Sequence, residues 1–313
     1  MKKTYSSADN RLLILKKASW AGIIGNTLLA MLKIISGIFS GSIAVTGDGI
    51  DSLSDVATST ITLYAAKAAA EPPDPEHPWG HGRVETIATK TLSLIIIMAG
   101  LQLLSMTVKK IIGVMPVEIP GEIAITASIV SIIGKTALAF YKHHAGKVTE
   151  SSMMKADALN MRNDILLSVT VLFSVLFTRI LNLPVIDVIT GLAISIWIIV
   201  SGIKIFLTTN SELMDSIEDK KVYRDVFDAV DSVEGLSNPH RVRIRGLNAY
   251  YAIDLDVEVD GNMKVCDAHK LSCLLEDEIK KRVKKVYDIM VHIEPEGKGN
   301  HPEGYGLVRE DIK

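Results

Sequence analysis

Gly47 to Ala66 reads GDGIDSLSDVATSTITLYAA, an apolar and small-residue stretch that carries two carboxylates four residues apart, Asp51 and Asp55. A second pair at the same spacing, Asn160 and Asp164, opens the apolar run NDILLSVTVLFSVLF that ends at Phe177. A spacing of four puts each pair on one helix face, about 6 Å apart along the axis. A charge at membrane depth costs roughly 2.5–3.5 kcal/mol on insertion scales, so such groups persist where they face a bundle interior and meet a cation, a proton or water. The pattern predicts a membrane protein built around a small oxygen-rich metal site.

Composition agrees with a chain divided in two. Of 313 residues 48% are hydrophobic while 22% are charged, and the mean hydropathy is +0.28. From Ser19 to Thr208 apolar runs dominate, and from Ser211 onward the pattern is that of an ordinary soluble domain. A net charge of −2 argues against a general nucleic-acid binder. Cys266 and Cys273, seven apart, form neither a CxxC knuckle nor a disulfide framework, which fits a reduced cytosolic setting for that part. The basic N-terminus leads into a long apolar stretch with no small-residue cleavage site after a short core, the pattern of an uncleaved first span.

Six spans of about bilayer-crossing length are expected at 17–39, 43–70, 84–112, 120–145, 153–181 and 185–208. The loop at 71–82, with four prolines and two glycines, separates the second from the third. Basic residues concentrate at the N-terminus and in the 71–83 and 142–155 loops, with Lys109, Lys110 and Arg179 as exceptions. Both termini are therefore expected on the cytoplasmic side, with the plasma (inner) membrane as the expected location. Beyond the spans, residues 219–232 read as a helix, Arg241 to Leu247 and Tyr250 to Val259 as strands, Val265 to Lys285 as a helix and Val286 to Glu294 as a third strand. The expected organisation is an N-terminal segment at 1–16, a six-helix transmembrane domain at 17–210, a small αββαβ (α+β) domain at 211–295 and a flexible tail at 296–313.

Three constellations can carry chemistry. The first is Asp51, Asp55, Asn160 and Asp164. Four oxygen donors from two helices suit a hard divalent ion, Mn²⁺, Mg²⁺ or Fe²⁺, better than Zn²⁺, although interhelical hydrogen bonding is the plainer alternative. Asp48 and Asp157, one turn before each pair, are either supporting groups or a funnel leading to it. The second is Asp74, His77 and His81, on a loop stiffened by proline: a surface metal site, or a polar loop facing headgroups. The third is His240, Asp256, His269, His292 and Glu294, which either converge at one sheet edge or stay scattered on the surface. Lys33, Lys90, Lys135 and Asp187 are further intramembrane charges, of which Lys33 and Lys135 can snorkel or pair with carboxylates. No nucleophile is matched to a base, which leaves no case for an enzyme.

Three strings together resemble the cation diffusion facilitator family: Gly41 to Val45 followed by Asp51-Ser-Leu-Ser-Asp55, His77-Pro-Trp-Gly-His81-Gly-Arg83-Val-Glu85, and Ala156 to Asp164. The resemblance runs from about Ala18 to Pro295. It implies a homodimer that exports divalent metal from the cytosol, commonly in exchange for protons. It maps a transport site onto Asp51, Asp55, Asn160 and Asp164, a loop site onto Asp74, His77 and His81, and cytoplasmic sites onto His240, Asp256, His269, His292 and Glu294. It also implies a partnership between Arg83 and an acid beyond the sixth span, for which Asp215 is the candidate. Zinc-transporting members usually carry His where this chain has Asn160. The amide removes the softest ligand and shifts the expected substrate to Mn²⁺ first, with Zn²⁺, Fe²⁺ and Co²⁺ as alternatives, resembling the manganese branch. A metal-sensing membrane scaffold that binds without transporting is the rival from another class of function.

Overall fold

The structure is a computed structural model that describes residues 2–69, 71, 73–149, 152–217, 219–247, 250–297 and 305–312; the side chains of 2–13, 15, 62–63, 65–69 and 152–157 lie outside the description. Asp157 therefore falls outside the described side chains. Six long helices come first: α1 (Lys2–Ser40), α2 (Ile43–Ala69), α3 (Arg83–Ile111), α4 (Glu122–Val148), α5 (Ser152–Ile180) and α6 (Val185–Leu213). Among the described residues, all of these helices but α2 contain a stretch long and apolar enough to cross a membrane. The exception is the helix that carries Asp48, Asp51 and Asp55, and those three carboxylates lower its hydropathy. Helix α1 runs from Lys2 to Ser40, so the expected boundary between an N-terminal segment and the first span falls inside one helix.

The chain divides into two compact units: residues 1–64 with 88–206, and residues 65–87 with 207–313. In the first, α4 packs against both α1 and α5. Ile43, Ala44 and Val45 of α2 share a core with Leu92 and Ile96 of α3, Val171 of α5 and Ile198 of α6. Outward faces stay apolar: Phe39 is 81% exposed and Phe140 73%, as suits lipid contact. Close approach of α1 and α2 requires glycine. A Cβ on Gly37 would lie 2.6 Å from the Thr46 amide nitrogen, and one on Gly49 would lie 2.8 Å from that of Ile34.

The start of α2 is held by α6. Ser42 Oγ donates to Asp187 Oδ1 at 2.5 Å, and the Ile43 amide donates to Asp187 Oδ2 at 2.9 Å. A buried carboxylate thus caps the N-terminus of the helix that carries Asp51 and Asp55. The intramembrane Asp187 is explained by this capping.

In the second unit, α7 (Lys220–Asp231), β1 (Ser237–Leu247), β2 (Tyr250–Val259), α8 (Val265–Arg282) and β3 (Val286–Pro295) follow the αββαβ order. The sheet order is β1-β2-β3, with β1 antiparallel and β3 parallel to β2. The parallel pair needs a crossover, which α8 supplies. Val226 and Phe227 of α7 and Leu275 and Ile279 of α8 bury against Ile253, Leu255 and Val257 of β2. Strand β1 begins at Ser237, four residues earlier than its alternation suggests, because register shifts flank His240 and the backbone is left-handed at Asn238 (φ 46°) and Arg241 (φ 49°). The expected flexible tail is corrected in part. Residues 298–304 lie outside the description, but Leu307 exchanges two backbone hydrogen bonds with Val242, and Ile312 is buried in the domain core.

Candidate metal centres

Helices α2 and α5 bring Asp51, Asp55 and Asp164 together: one oxygen from each lies within 4.8 Å of the others. They line a cavity of about 410 Å³ with Asn160, Ser54, Thr58 and Ser201. Each of these side chains presents an oxygen, which is the donor set a hard divalent cation takes. All four expected residues of the first constellation therefore border one cavity, with Asn160 and Asp55 on its exposed side.

Two buried ammonium groups sit beside these carboxylates. Lys33 Nζ lies 2.8 Å from Asp48 Oδ2 and donates to Ser52 Oγ at 3.2 Å and Ser168 Oγ at 2.8 Å. Ser168 Oγ in turn donates to Asp48 Oδ1 at 3.1 Å. This network ties α1, α2 and α5 together below the surface of the bundle. Asp48 thus pairs with Lys33 and Ser168. Lys135 of α4, 1% exposed, reaches Asp164 Oδ2 at 3.2 Å. Sequence reasoning saw Lys33 and Lys135 as intramembrane charges without assigning partners. It missed Asn26 of α1, whose buried Oδ1 has no hydrogen-bond partner among the described residues and which lines the same cavity. The signal that could have found it is an amide in the middle of an apolar span.

The loop triad also assembles. Asp74 Oδ1 accepts from the backbone amides of Glu76 at 3.0 Å and His77 at 2.6 Å, and lies 3.1 Å from His77 Nδ1. Asp74 Oδ2 lies 3.3 Å from His81 Nε2. The His77 amide is the chief reason the Asp74 carboxyl is held below the usual carboxylate range. His81 Nδ1 is buried and has no hydrogen-bond partner among the described residues. A single aspartate and two imidazoles within 4.8 Å of one another offer a mixed oxygen and nitrogen set that borderline cations accept. Just beyond, Arg83 donates to the Asp215 carboxylate and to the Glu212 carbonyl.

Of the five residues of the third constellation, three converge. His240, Asp256 and Glu294 are buried and bring ligand atoms within 4.8 Å of one another. The bulge around His240 sets it opposite Asp256 on β2, which is itself opposite His292 on β3. His240 Nε2 lies 3.4 Å from Glu294 Oε2, and the exposed His292 Nε2 lies 3.4 Å from Glu294 Oε1. Asp256 is also paired with Arg241 at 2.8 Å. His269 does not join the three: it is exposed on α8, with Nε2 3.7 Å from Cys273 Sγ. The spacing of four puts His269 and Cys273 on one face of α8, and His269 lines a pocket that Glu294 also borders without joining the trio.

Residues 19–214 match the family described as the cation efflux transmembrane domain, and residues 219–296 match the cation efflux protein cytoplasmic domain. An uncharacterised transporter of Methanocaldococcus jannaschii is 29% identical, over 87% of this chain and 95% of its own length. The cation-efflux pump FieF of Citrobacter koseri is 24% identical, over 90% of this chain and 93% of its own. Among solved structures, the metal-bound C-terminal domain of the CzcD transporter from Thermotoga maritima is 40% identical, over 26% of this chain and 93% of that one, with a TM-score of 0.25.

Proposed function

The chain belongs to the cation efflux family, the cation diffusion facilitators, and on that premise we propose that this integral membrane transporter of divalent cations exports Mn²⁺ from the cytosol. The observation that carries the choice of cation is the donor set: Asp51, Asp55 and Asp164 within 4.8 Å of one another, with Asn160 on the same cavity and no imidazole or thiol among its described lining residues. Such hard oxygen ligands suit Mn²⁺ better than the nitrogen- and sulfur-preferring Zn²⁺, with Zn²⁺, Fe²⁺ and Co²⁺ as the alternative substrates. The manganese-type branch of the family is the reading this supports.

The transport cycle is alternating access. The cation binds from the cytosol between α2 and α5, the helices rearrange, and the cation leaves on the other side in exchange for protons. The protein works as a homodimer in the plasma (inner) membrane with both termini cytoplasmic. The loop triad and the buried trio of His240, Asp256 and Glu294 bind further metal outside the transport path. In proteoliposomes loaded with a divalent-metal reporter, wild-type protein is expected to carry Mn²⁺, and Asp51→Ala or Asp164→Ala to reduce that flux to background. Wild-type flux in either variant would refute the site, and metal binding without flux by the wild type would favour a sensing scaffold.

A further inference from the structure

We infer that Lys135 is a tethered counter-cation of the transport site: its ammonium holds Asp164 when no metal is bound, and the incoming divalent cation displaces it. The inference rests on the transport site proposed above and adds a residue from a third helix, α4. Three observations lead to it. Lys135 is almost wholly buried, and Asp164 is the one partner its ammonium has among the described residues, at 3.2 Å. That partner is also one of the three carboxylates drawn together across the cavity. Lys33, the other buried lysine, is held by Asp48, Ser52 and Ser168 and has no ligand carboxylate to release.

Formal charge gives the arrangement its purpose. With every carboxylate ionised, as metal ligation requires, Asp48, Asp51, Asp55 and Asp164 would carry four negative charges, and Lys33 and Lys135 would return two positive ones. The remainder is two negative charges, which one divalent cation neutralises and a monovalent cation does not. A charged group taken from water into a bundle needs such compensation. With the site loaded, the ammonium no longer pairs with Asp164 but stays close enough to repel the bound cation. Repulsion weakens binding and speeds departure, which a transporter needs as much as capture. Lys135 is thus a positioning and affinity-setting residue, not a metal ligand.

The test is the initial rate of Mn²⁺ uptake into proteoliposomes by the full chain, with KM and kcat measured separately. Lys135→Met and Lys135→Gln are expected to lower KM on the order of tenfold and to lower kcat as well, the pattern of a site that binds more tightly and releases more slowly. Lys135→Arg, which keeps the charge, is expected to return both values toward wild type. Lys135→Gln keeps a hydrogen-bond donor for Asp164, so it decides the matter even if Lys135→Met does not fold. A KM unchanged or raised in Lys135→Gln overturns the inference while Asp51→Ala remains inactive. Wild-type kinetics in Asp51→Ala would instead remove the transport site and this inference with it.

Discussion

Lys33 and Asp48 form an ion pair at 2.8 Å with side-chain exposures of 0% and 1%, and two serine hydroxyls complete their hydrogen bonds. Removing one partner leaves the other charge buried without compensation, which costs about 3–5 kcal/mol. Lys33→Met is therefore expected to lower the unfolding midpoint in detergent clearly, while Lys33→Met combined with Asp48→Asn recovers much of the loss. At the transport cavity the expectation concerns selectivity and not stability. Asn160→His supplies the imidazole that the cavity lacks and should raise the ratio of Zn²⁺ to Mn²⁺ flux; an unchanged ratio would mean that other groups set the preference. The paired carboxylates were legible in the sequence because a spacing of four stacks them on one helix face, and an apolar run tolerates such stacking only where something compensates the charge. The lysine partners were not, since Lys33 and Asp48 are joined only when α1 meets α2, and Lys135 and Asp164 only when α4 meets α5. The same holds for His269: its chemistry suited a metal site, but it stays exposed on α8 while the buried trio forms on the sheet.

The six helices and the αββαβ order were readable as elements because their hydrophobic periods differ, near 3.6 in helices and 2 in strands. What periodicity does not carry is the way one element fixes the end of another. Asp187, at the start of α6, accepts from Ser42 Oγ and the Ile43 amide and so anchors the first turn of α2. Asp187→Ala is expected to cost about 1–2 kcal/mol from the lost cap. It should also reduce Mn²⁺ transport, because α2 carries two ligand carboxylates; thermal unfolding and uptake assays check the two effects separately. The bulge at His240 is another such case. Alternation placed the strand from Arg241, but the residue that matters lies before it, where left-handed backbone at Asn238 and Arg241 turns His240 toward Asp256. The tail was read as flexible from its glycine, proline and charge. Two apolar side chains, Leu307 and Ile312, were enough to dock its described part.

At the scale of the whole molecule, a metal transporter must place charge in lipid and still keep it mobile. In the first unit two buried ammonium groups, Lys33 and Lys135, pair with Asp48 and Asp164, beside the carboxylates of the proposed transport site. The second unit gathers two separate candidate metal triads, one on the 71–82 loop and one on the sheet. The central claim is that one divalent cation binds between α2 and α5. Anomalous diffraction at the manganese absorption edge, from crystals of the full chain grown with Mn²⁺, tests it most directly. The account predicts a peak among Asp51, Asp55, Asn160 and Asp164 that disappears in Asp51→Asn. Peaks at the loop and sheet triads with none between α2 and α5, or a cavity peak that survives the substitution, would contradict it.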